Sequence, residues 1–306
     1  MRSNSPIPAS LLALSLFFVQ QASVHASVFA PSAPAVVEGV QMPAWIERSG
    51  VRQPLMLGAV LQQSDRLITG LNARILLKLA EGSKVKLGEN AQINLDTFET
   101  ERNDTSIFLK SALSVVRGAF RFTTDAAAKL KHRRRVDIML ASATIGIRGT
   151  DVWGKQGKDR EIVCLIEGGV AVDRVRNGQP PESVTLDKPM LFYVAPTDLP
   201  ALPVATVSSE QLTQWATETE IAPGAGGQSP GGKWRVTFVS SSDFNAAFEV
   251  RSALRKEGYP VEISPGLVAG KRVYHVRLAH LSSKEDAQNI AGRAGSGMNL
   301  NPQVGT

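Results

Sequence analysis

The stretch Trp234-Arg-Val-Thr-Phe-Val-Ser240 decides how the last quarter of the chain folds, because its apolar residues recur at every second position. Such alternation is typical of a strand that buries one face. Asp243 follows as the expected cap of a helix that runs to about Glu257, and Gly258 ends that helix. A strand followed by a capped helix indicates a small domain of mixed α and β structure.

The residues that follow supply the other elements of a βαββαβ unit over residues 233–306. We expect a second strand around Val261 and Ile263, a turn at Pro265-Gly266, a third strand from Arg272 to Ala279, a second helix capped by Ser283, and a last strand between Met298 and Val304. The fold class predicted for this part is α+β with a ferredoxin-like order of elements.

Alternation also predicts which side chains the helices leave uncovered. The residues expected to face the helices are Trp234, Val236, Phe238, Tyr274, Val276 and Leu278. The residues expected on the open face are Arg235, Thr237, Val239, Val273, His275 and Arg277. An antiparallel sheet with helices on one side leaves its other side available to a ligand, so the open face is a candidate binding platform. A solvated face without a ligand is the alternative.

The order of elements and the residues resemble the SPOR domain, a bacterial module that binds peptidoglycan glycan strands lacking stem peptides. The family's first strand is similar to aromatic-x-Val-Gln-apolar-Gly-Ser-Phe, and its third to Tyr-Arg-Val-x-apolar-Gly-Pro-Phe. This chain has Trp234 to Ser241 and Tyr274 to Leu281 at those places. The resemblance implies that the open face binds glycan. The candidate glycan-binding residues are Arg235, Thr237, Ser240, His275 and Arg277.

Four positions depart from the SPOR pattern. Thr237 stands at the usual Gln, His275 at the usual Arg, and Val239 and Ala279 at the two strand-end glycines. These departures spare the buried alternation and therefore the predicted fold. They favour a second hypothesis, in which the unit keeps the fold but has lost its affinity for glycan.

Residues 1–26 have the features of a secretory signal peptide. Arg2 gives a positive start, Leu11 to Val19 is apolar, and Val24-His-Ala26 has small residues at the expected cleavage site. The apolar stretch is too short to span a bilayer. We expect export to the periplasm of a bacterial cell envelope, with no stable membrane insertion after cleavage. An uncleaved membrane anchor is the alternative.

Composition limits the classes of function. The single cysteine, Cys164, excludes an intramolecular disulfide, and its apolar surroundings predict a buried thiol, with a catalytic nucleophile as the alternative. The net charge of +6 suits an acidic polymer, which in an envelope is cell wall rather than nucleic acid. The densest basic run, residues 129–135, predicts a solvated loop, with phosphate binding as the alternative.

Residues 36–203 show short alternating segments between Gly, Asn and Asp turns, such as Ile75 to Leu79 and Val170 to Val172. Short, regular strands favour an all-β sandwich or solenoid-like domain over an α/β enzyme core. Residues 204–232 predict a short helix followed by a flexible linker rich in Gly, Ser and Pro, which would let the two domains move independently.

Residues of this β-rich part resemble the FecR domain over about 50–195. Ser64-Asp-Arg-Leu-Ile-Thr-Gly70 is similar to the family's Gly-Asp-x-Ile-x-Thr-Gly turn, and Ala143-Thr-Ile-Gly-Ile-Arg-Gly-Thr-Asp-Val152 to its Thr-x-x-x-Gly-apolar-Arg-Gly-Thr segment. FecR-type domains occur in envelope proteins that sense a receptor and control a sigma factor through a membrane helix and a cytoplasmic tail. The sequence shows no such segment, so we expect only a domain that binds a protein or saccharide partner. Arg148 is either a ligand contact or a residue that pins a turn.

The sequence offers no catalytic, metal or cofactor site. Its four histidines lack a metal-binding spacing, and neither a Gly-x-Ser-x-Gly elbow nor a phosphate-binding loop is present. The first hypothesis is therefore a non-catalytic protein that binds peptidoglycan, with a role in cell division. The second is an interaction protein whose two domains both bind proteins. An RNA-binding βαββαβ domain is a third, and it predicts stacking aromatic residues on the open face.

Overall fold

The protein is described by a computed structural model that covers residues 34–102, 107–125, 133–147 and 149–306. The expected signal peptide lies outside the described residues. The N-terminal β part consists of seventeen strands, β1 (Ala35–Gln41), β2 (Ala44–Arg48), β3 (Val51–Pro54), β4 (Val60–Leu61), β5 (Arg66–Thr69), β6 (Arg74–Leu79), β7 (Lys84–Leu87), β8 (Gln92–Arg102), β9 (Ile107–Thr123), β10 (Arg133–Met139), β11 (Ala143–Ile147), β12 (Asp151–Gln156), β13 (Arg160–Glu167), β14 (Val170–Arg174), β15 (Glu182–Leu186), β16 (Leu191–Pro196) and β17 (Ala205–Thr206).

These strands form two sheets whose apolar faces share one core. Sheet I has the order β4-β1-β6-β7-β9-β12-β13-β16-β17. Sheet II has the order β3-β2-β5-β8-β9-β10-β11-β14-β15. Among the described strands only β9 and β10 pair in parallel. A solenoid stacks parallel strands, whereas the other described pairs here are antiparallel. The predicted all-β domain is therefore a sandwich and not a solenoid.

Strand β9 belongs to both sheets. Residues 107–117 pair with β8 in sheet II, and residues 118–123 pair with β12 in sheet I. The change of sheet occurs at Gly118, which has a φ of +89° and lies so close to Ala91 that a Cβ would be 2.5 Å from its Cα. Only glycine meets both requirements, so this residue allows the strand to cross between the sheets.

Helix α1 (Ser209–Thr217) and strand β18 (Gly227–Gln228) connect the N-terminal β part to the C-terminal unit. The C-terminal unit has the predicted βαββαβ order, with β19 (Trp234–Ser241), α2 (Phe244–Lys256), β20 (Glu262–Val268), β21 (Lys271–Leu281), α3 (Lys284–Ser296) and β22 (Gln303–Gly305). Its antiparallel sheet has the order β20-β21-β19-β22. Both predicted caps are confirmed. Asp243 accepts a hydrogen bond from the Asn245 N–H, and Ser283 accepts one from the Asp286 N–H.

The predicted turn at Pro265-Gly266 is wrong. Both residues lie inside β20, and the chain turns instead at Ala269 and Gly270, whose φ angles are +48° and +77°. Two successive residues with positive φ suit a tight hairpin. Proline is tolerated within β20 because, in the described part of the sheet, this strand pairs only with β21 and is an edge strand.

The segment predicted as a flexible linker is held by contacts on both sides. Strand β18 pairs with β1 and also with β21. The backbone N–H groups of Gly226 and Gly227 donate to Asp286 Oδ1 at 2.8 and 2.9 Å. Gly226 has a φ of +90°, and a Cβ there would lie 2.6 Å from Ile290. Glycine serves close packing here, and the structure differs from the expectation of flexibility for that reason.

The two parts of the protein also contact each other directly. Trp45 Nε1 donates to the Lys256 carbonyl at 3.3 Å, and the Ala44 N–H donates to the Gly258 carbonyl at 3.4 Å. Upstream of β18, helix α1 is fixed on sheet I, where Trp215 stacks on Trp153 with ring centroids 4.8 Å apart. The expected independent movement is therefore replaced by a packed arrangement.

Candidate functional site

The candidate site is the face of the C-terminal sheet that helices α2 and α3 leave uncovered. The buried residues of the two central strands face the helices, namely Val236, Phe238, Val276 and Leu278. The polar side chains between them lie on the open face, namely Arg235, Thr237, His275 and Arg277. This placement agrees with the predicted alternation, and the role of these residues in binding stays a prediction. Among the described residues assigned to this face there is no Phe, Tyr or Trp, the large aromatic side chains on which an RNA-binding sheet stacks bases.

A β-bulge in β19 decides where Val239 and Ser240 point. Strict alternation from Thr237 would turn Ser240 toward the helices, but the register shifts between Thr237 and Val239. Ser240 therefore pairs with His275 and joins the open face, whereas Val239 pairs with the buried Val276 and packs against the core. The prediction that Val239 lies on the open face is wrong, because the bulge reverses the alternation.

Arg277 lies on the open face between hydroxyl groups from both neighbouring strands. Its Nε donates to Thr237 Oγ1 at 3.2 Å, and its Nη1 donates to Ser264 Oγ at 3.3 Å. Burial lowers the pKa of Arg277, and the charge of Arg235 lowers it further, although a guanidinium stays protonated at neutral pH. Among the described residues neither arginine has a carboxylate partner. The open face therefore presents positive charge that is not engaged in an ion pair within the described residues.

His275 lies beside Arg277 on the same strand. Its Nδ1 is 2.7 Å from Ser240 Oγ. Burial lowers the pKa of His275 from its usual 6.5, and the charge of Arg277 lowers it further. The imidazole is neutral at pH 7 as a result, so it presents hydrogen-bonding groups to a ligand without a charge.

A cavity of about 420 Å³ opens at the end of this face where β21 reaches its last residues. Arg235, Arg277, Ser264 and Glu262 are among the residues that line it. The carboxylate of Glu262 is paired, because Arg255 Nη1 lies 2.6 Å and Arg251 Nη2 3.2 Å from it. The lining therefore attracts anions on balance.

Ser264 and Glu262 are site residues that the sequence reasoning missed. The available signal was the alternation of Glu262 and Ser264 around the apolar Ile263, which places both polar side chains on one face.

Two FecR-like motif residues serve the structure of the N-terminal β part. Asp65 is buried and accepts hydrogen bonds from Arg48 at 2.7 and 2.6 Å. Thr69 Oγ1 donates to the Gly88 carbonyl at 2.7 Å and accepts from the Ala91 N–H. These hydrogen bonds fix the turns in which the two residues lie. Arg148 lies outside the described residues, so its role stays a prediction.

A second depression, of about 640 Å³, lies on sheet II across β10, β11 and β14. Its lining includes Asp137, Thr144 and Asp173, and also Arg135, whose Nε donates to Asp137 Oδ2 at 2.8 Å. Most of the basic run lies outside the described residues, but its last three residues begin strand β10 and do not form a loop. The surface combines charged, polar and apolar residues.

The predicted burial of Cys164 is confirmed. Its side chain is fully buried, and burial raises the pKa of the thiol to about 12, so the reactive thiolate does not form at neutral pH. Within the described ranges, no three His, Cys, Asp or Glu residues are grouped so that they would hold a metal ion. No helix in those ranges is long and apolar enough to cross a membrane.

Comparison with known families places a domain in each part of the chain. The FecR protein family matches residues 65–171, and the SPOR domain family matches residues 230–304. Both are non-catalytic binding or regulatory families, and together they fit a cell-envelope protein. The SPOR domain supports binding of peptidoglycan.

Solved structures resemble the chain more loosely. Two crystal structures of a protein provisionally described as an anti-sigma factor from Parabacteroides distasonis ATCC 8503 match with 15% and 14% identity. Each match covers 76% of this chain and 92% or 91% of the other, with a TM-score of 0.37. A similarity of that size carries no argument about function. No protein of curated function matches the chain.

Proposed function

Because this chain carries a FecR domain followed by a SPOR domain, we propose that it is an exported, non-catalytic protein of the bacterial periplasm that binds the glycan strands of peptidoglycan. The residues proposed to bind are those of the open face, Arg235, Thr237, Ser240, His275 and Arg277. The observation that carries the proposal is the pair of arginines on this face, which no carboxylate among the described residues neutralises.

The chemistry of the glycan fits this pair. When an amidase removes a stem peptide, the lactyl group of each muramic acid is left with a free carboxylate. A guanidinium binds a carboxylate through charge-assisted hydrogen bonds, which are stronger than neutral ones. The hydroxyl groups of Thr237, Ser240 and Ser264 both donate and accept hydrogen bonds, as the hydroxyl groups of a sugar require. The site therefore favours denuded glycan, which we propose to be the septal form.

The FecR domain is proposed to engage a protein or saccharide partner in the envelope. The depression on sheet II supports this part of the proposal, because its hydroxyl and charged side chains offer specific hydrogen bonds. We propose that the FecR domain extends over residues 36–203 and the SPOR domain over residues 233–306. We also propose that residues 1–26 direct export and are then cleaved.

The experiment that tests the glycan site compares two arginine variants of the same strand. Arg277→Ala removes the central charge of the open face, whereas Arg272→Ala removes the same charge from the opposite side of the strand. We expect Arg277→Ala to weaken binding to purified sacculi by roughly tenfold or more, because a charge-assisted hydrogen bond is lost. Binding by Arg272→Ala should equal that of the wild type.

Equal binding by both arginine variants and the wild type would place the glycan elsewhere on the molecule. A wild-type protein that binds no sacculi would favour the alternative, an interaction protein whose two domains both bind proteins. The measurement is the fraction of protein that sediments with sacculi over a range of sacculus concentrations.

A further inference from the structure

A loop of the FecR domain forms one wall of the cavity on the SPOR sheet. The loop joins β3 to β4, and its Met56 and Leu57 line the same cavity as Arg235 and Arg277. Met56 is apolar, yet it is 37% exposed. The cavity is therefore lined from both parts of the chain, and its two large apolar side chains, Met56 and Leu57, come from outside the SPOR domain.

Hydrogen bonds fix this loop on both sides of its tip. The buried Leu55 donates its backbone N–H to the Ala44 carbonyl at 2.9 Å, and Gly58 donates to the Val37 carbonyl at 2.9 Å. Strand β3, which leads into the loop, contacts helix α2 on the covered side of the SPOR sheet. This contact holds Met56 and Leu57 at a fixed position relative to the sheet.

The wall adds large apolar side chains to a site where the SPOR domain supplies only the small apolar surfaces of Pro260 and Ala279. A sugar ring has hydroxyl groups around its rim and C–H groups on its faces, so a saccharide site needs both polar partners and an apolar surface. The polar residues of the SPOR sheet meet only the first need. Met56 and Leu57 meet the second, and the thioether of Met56 adapts to an irregular surface. The volume of about 420 Å³ lies within the range of about 300–1,000 Å³ that small-ligand sites occupy.

We infer that Met56 and Leu57 of the FecR domain contact a sugar ring of the bound glycan, so that both domains bind one saccharide together. The inference rests on the proposed function, since it takes the open face as the glycan site. It assigns to the FecR domain a specificity-determining contact, because only a ring whose apolar face is free of a bulky substituent fits against the wall.

The test replaces the apolar wall without touching the arginines. Met56→Ser in the full chain should weaken binding of amidase-treated glycan fragments on the order of tenfold, because the apolar contact with the ring is lost. Val51→Ser is the matched control, since Val51 is an exposed apolar residue of β3, 64% exposed, that does not line the cavity. Binding by Val51→Ser should equal that of the wild type, and thermal unfolding of each variant verifies that the fold is kept.

The outcomes separate this inference from the proposed function. If Arg277→Ala weakens binding and Met56→Ser does not, the glycan site stands and the contact by the FecR domain is refuted. The double variant Met56→Ser, Leu57→Ser must then also bind like the wild type. If neither Arg277→Ala nor Met56→Ser changes binding, or if the wild type binds no glycan, both the inference and the proposed function fail.

Discussion

Two arginines on one open sheet face give the proposed binding site of the SPOR domain its positive charge. The charge of Arg235 lowers the pKa of Arg277, and among the described residues neither arginine forms an ion pair with a carboxylate. Holding two like charges close together is unfavourable for the unliganded protein. An anionic ligand relieves that repulsion, and so the arrangement favours a polymer that carries carboxylates.

One residue that departs from the family motif, His275, changes the charge of the open face. His275, at the position of the usual Arg, lies beside Ser240 and is neutral at pH 7 because burial and Arg277 lower its pKa. The face therefore has fewer fixed charges at neutral pH than the family pattern implies. It gains one when His275 is protonated.

The pH dependence of binding tests this role of His275. The folded, unliganded protein holds the pKa of His275 below 6.5, so the residue gains its proton only as the pH falls through that lower value. A muramic acid carboxylate keeps its negative charge above about pH 5. We expect the affinity for denuded glycan to rise as the pH is lowered from about 7.5 to about 5.5, because protonated His275 attracts the carboxylate.

His275→Gln serves as the comparison in the same titration. Its affinity should change less over that range, since glutamine does not titrate, whereas His280 and the other titratable groups are present in both proteins. Identical slopes for the wild type and His275→Gln would show that His275 takes no part. The measurement is the dissociation constant at several pH values and constant ionic strength.

At the scale of elements, strand β18 and helix α3 determine how the two domains are joined. The two residues of β18 pair with β1 of the N-terminal β part and with β21 of the SPOR domain. Asp286, in the first turn of α3, accepts the N–H groups of Gly226 and Gly227 and the hydroxyl of Ser283. A carboxylate at a helix N-terminus is favourable, and this one also satisfies two backbone donors of the connecting segment.

Replacement of Asp286 tests the importance of this junction. Asp286→Ala leaves the buried N–H groups of Gly226 and Gly227 without an acceptor, so we expect the free energy of unfolding to fall by about 2–4 kcal/mol. Glu285→Ala is the control, because Glu285 is an exposed acid in the same helical turn. That variant should lose only about 0.3–1 kcal/mol. Urea denaturation measures both, and equal losses would contradict the role given to Asp286.

The sequence predicts those elements whose causes are local. The helices α2 and α3 carry their own caps, Asp243 and Ser283, and alternation is enough to locate β19 and β21. The bulge at Thr237 to Val239 has no such local signal, so the placement of Val239 failed. The glycines of the connecting segment indicate flexibility when read alone. Their close packing depends on Asp286 and Ile290, about 60 residues further along the chain.

At the scale of the whole molecule, the FecR and SPOR domains share a continuous hydrophobic core. The buried cluster includes residues of both parts of the chain, for example Val40, Met42 and Ala44 from the N-terminal β part and Leu254, Tyr259 and Ile290 from the SPOR domain. A SPOR domain held in this way presents its open face at a fixed orientation to the FecR domain. Glycan binding would therefore also orient the depression on sheet II relative to the cell wall.

The packing of the SPOR domain against the N-terminal β part could not be predicted from the sequence, because neither spacing nor alternation indicates which distant segments are in contact. Alternation in β2 predicts that Trp45 is a strand residue. It does not predict that the indole of Trp45 contacts the end of α2. The cavity wall at Met56 was missed for the same reason. The exposed side chain of Met56 indicates a binding surface only once the structure shows that it lines a cavity together with residues of the SPOR sheet.

The measurement that tests the central claim most directly is a comparison of two preparations of sacculi. The purified chain lacking residues 1–26 is incubated with intact sacculi and with sacculi whose stem peptides an amidase has removed. We predict tighter binding to the amidase-treated sacculi, because the freed lactyl carboxylates can pair with Arg235 and Arg277. Equal binding to both preparations, or binding to neither, would contradict recognition of denuded glycan by the open face of the SPOR domain.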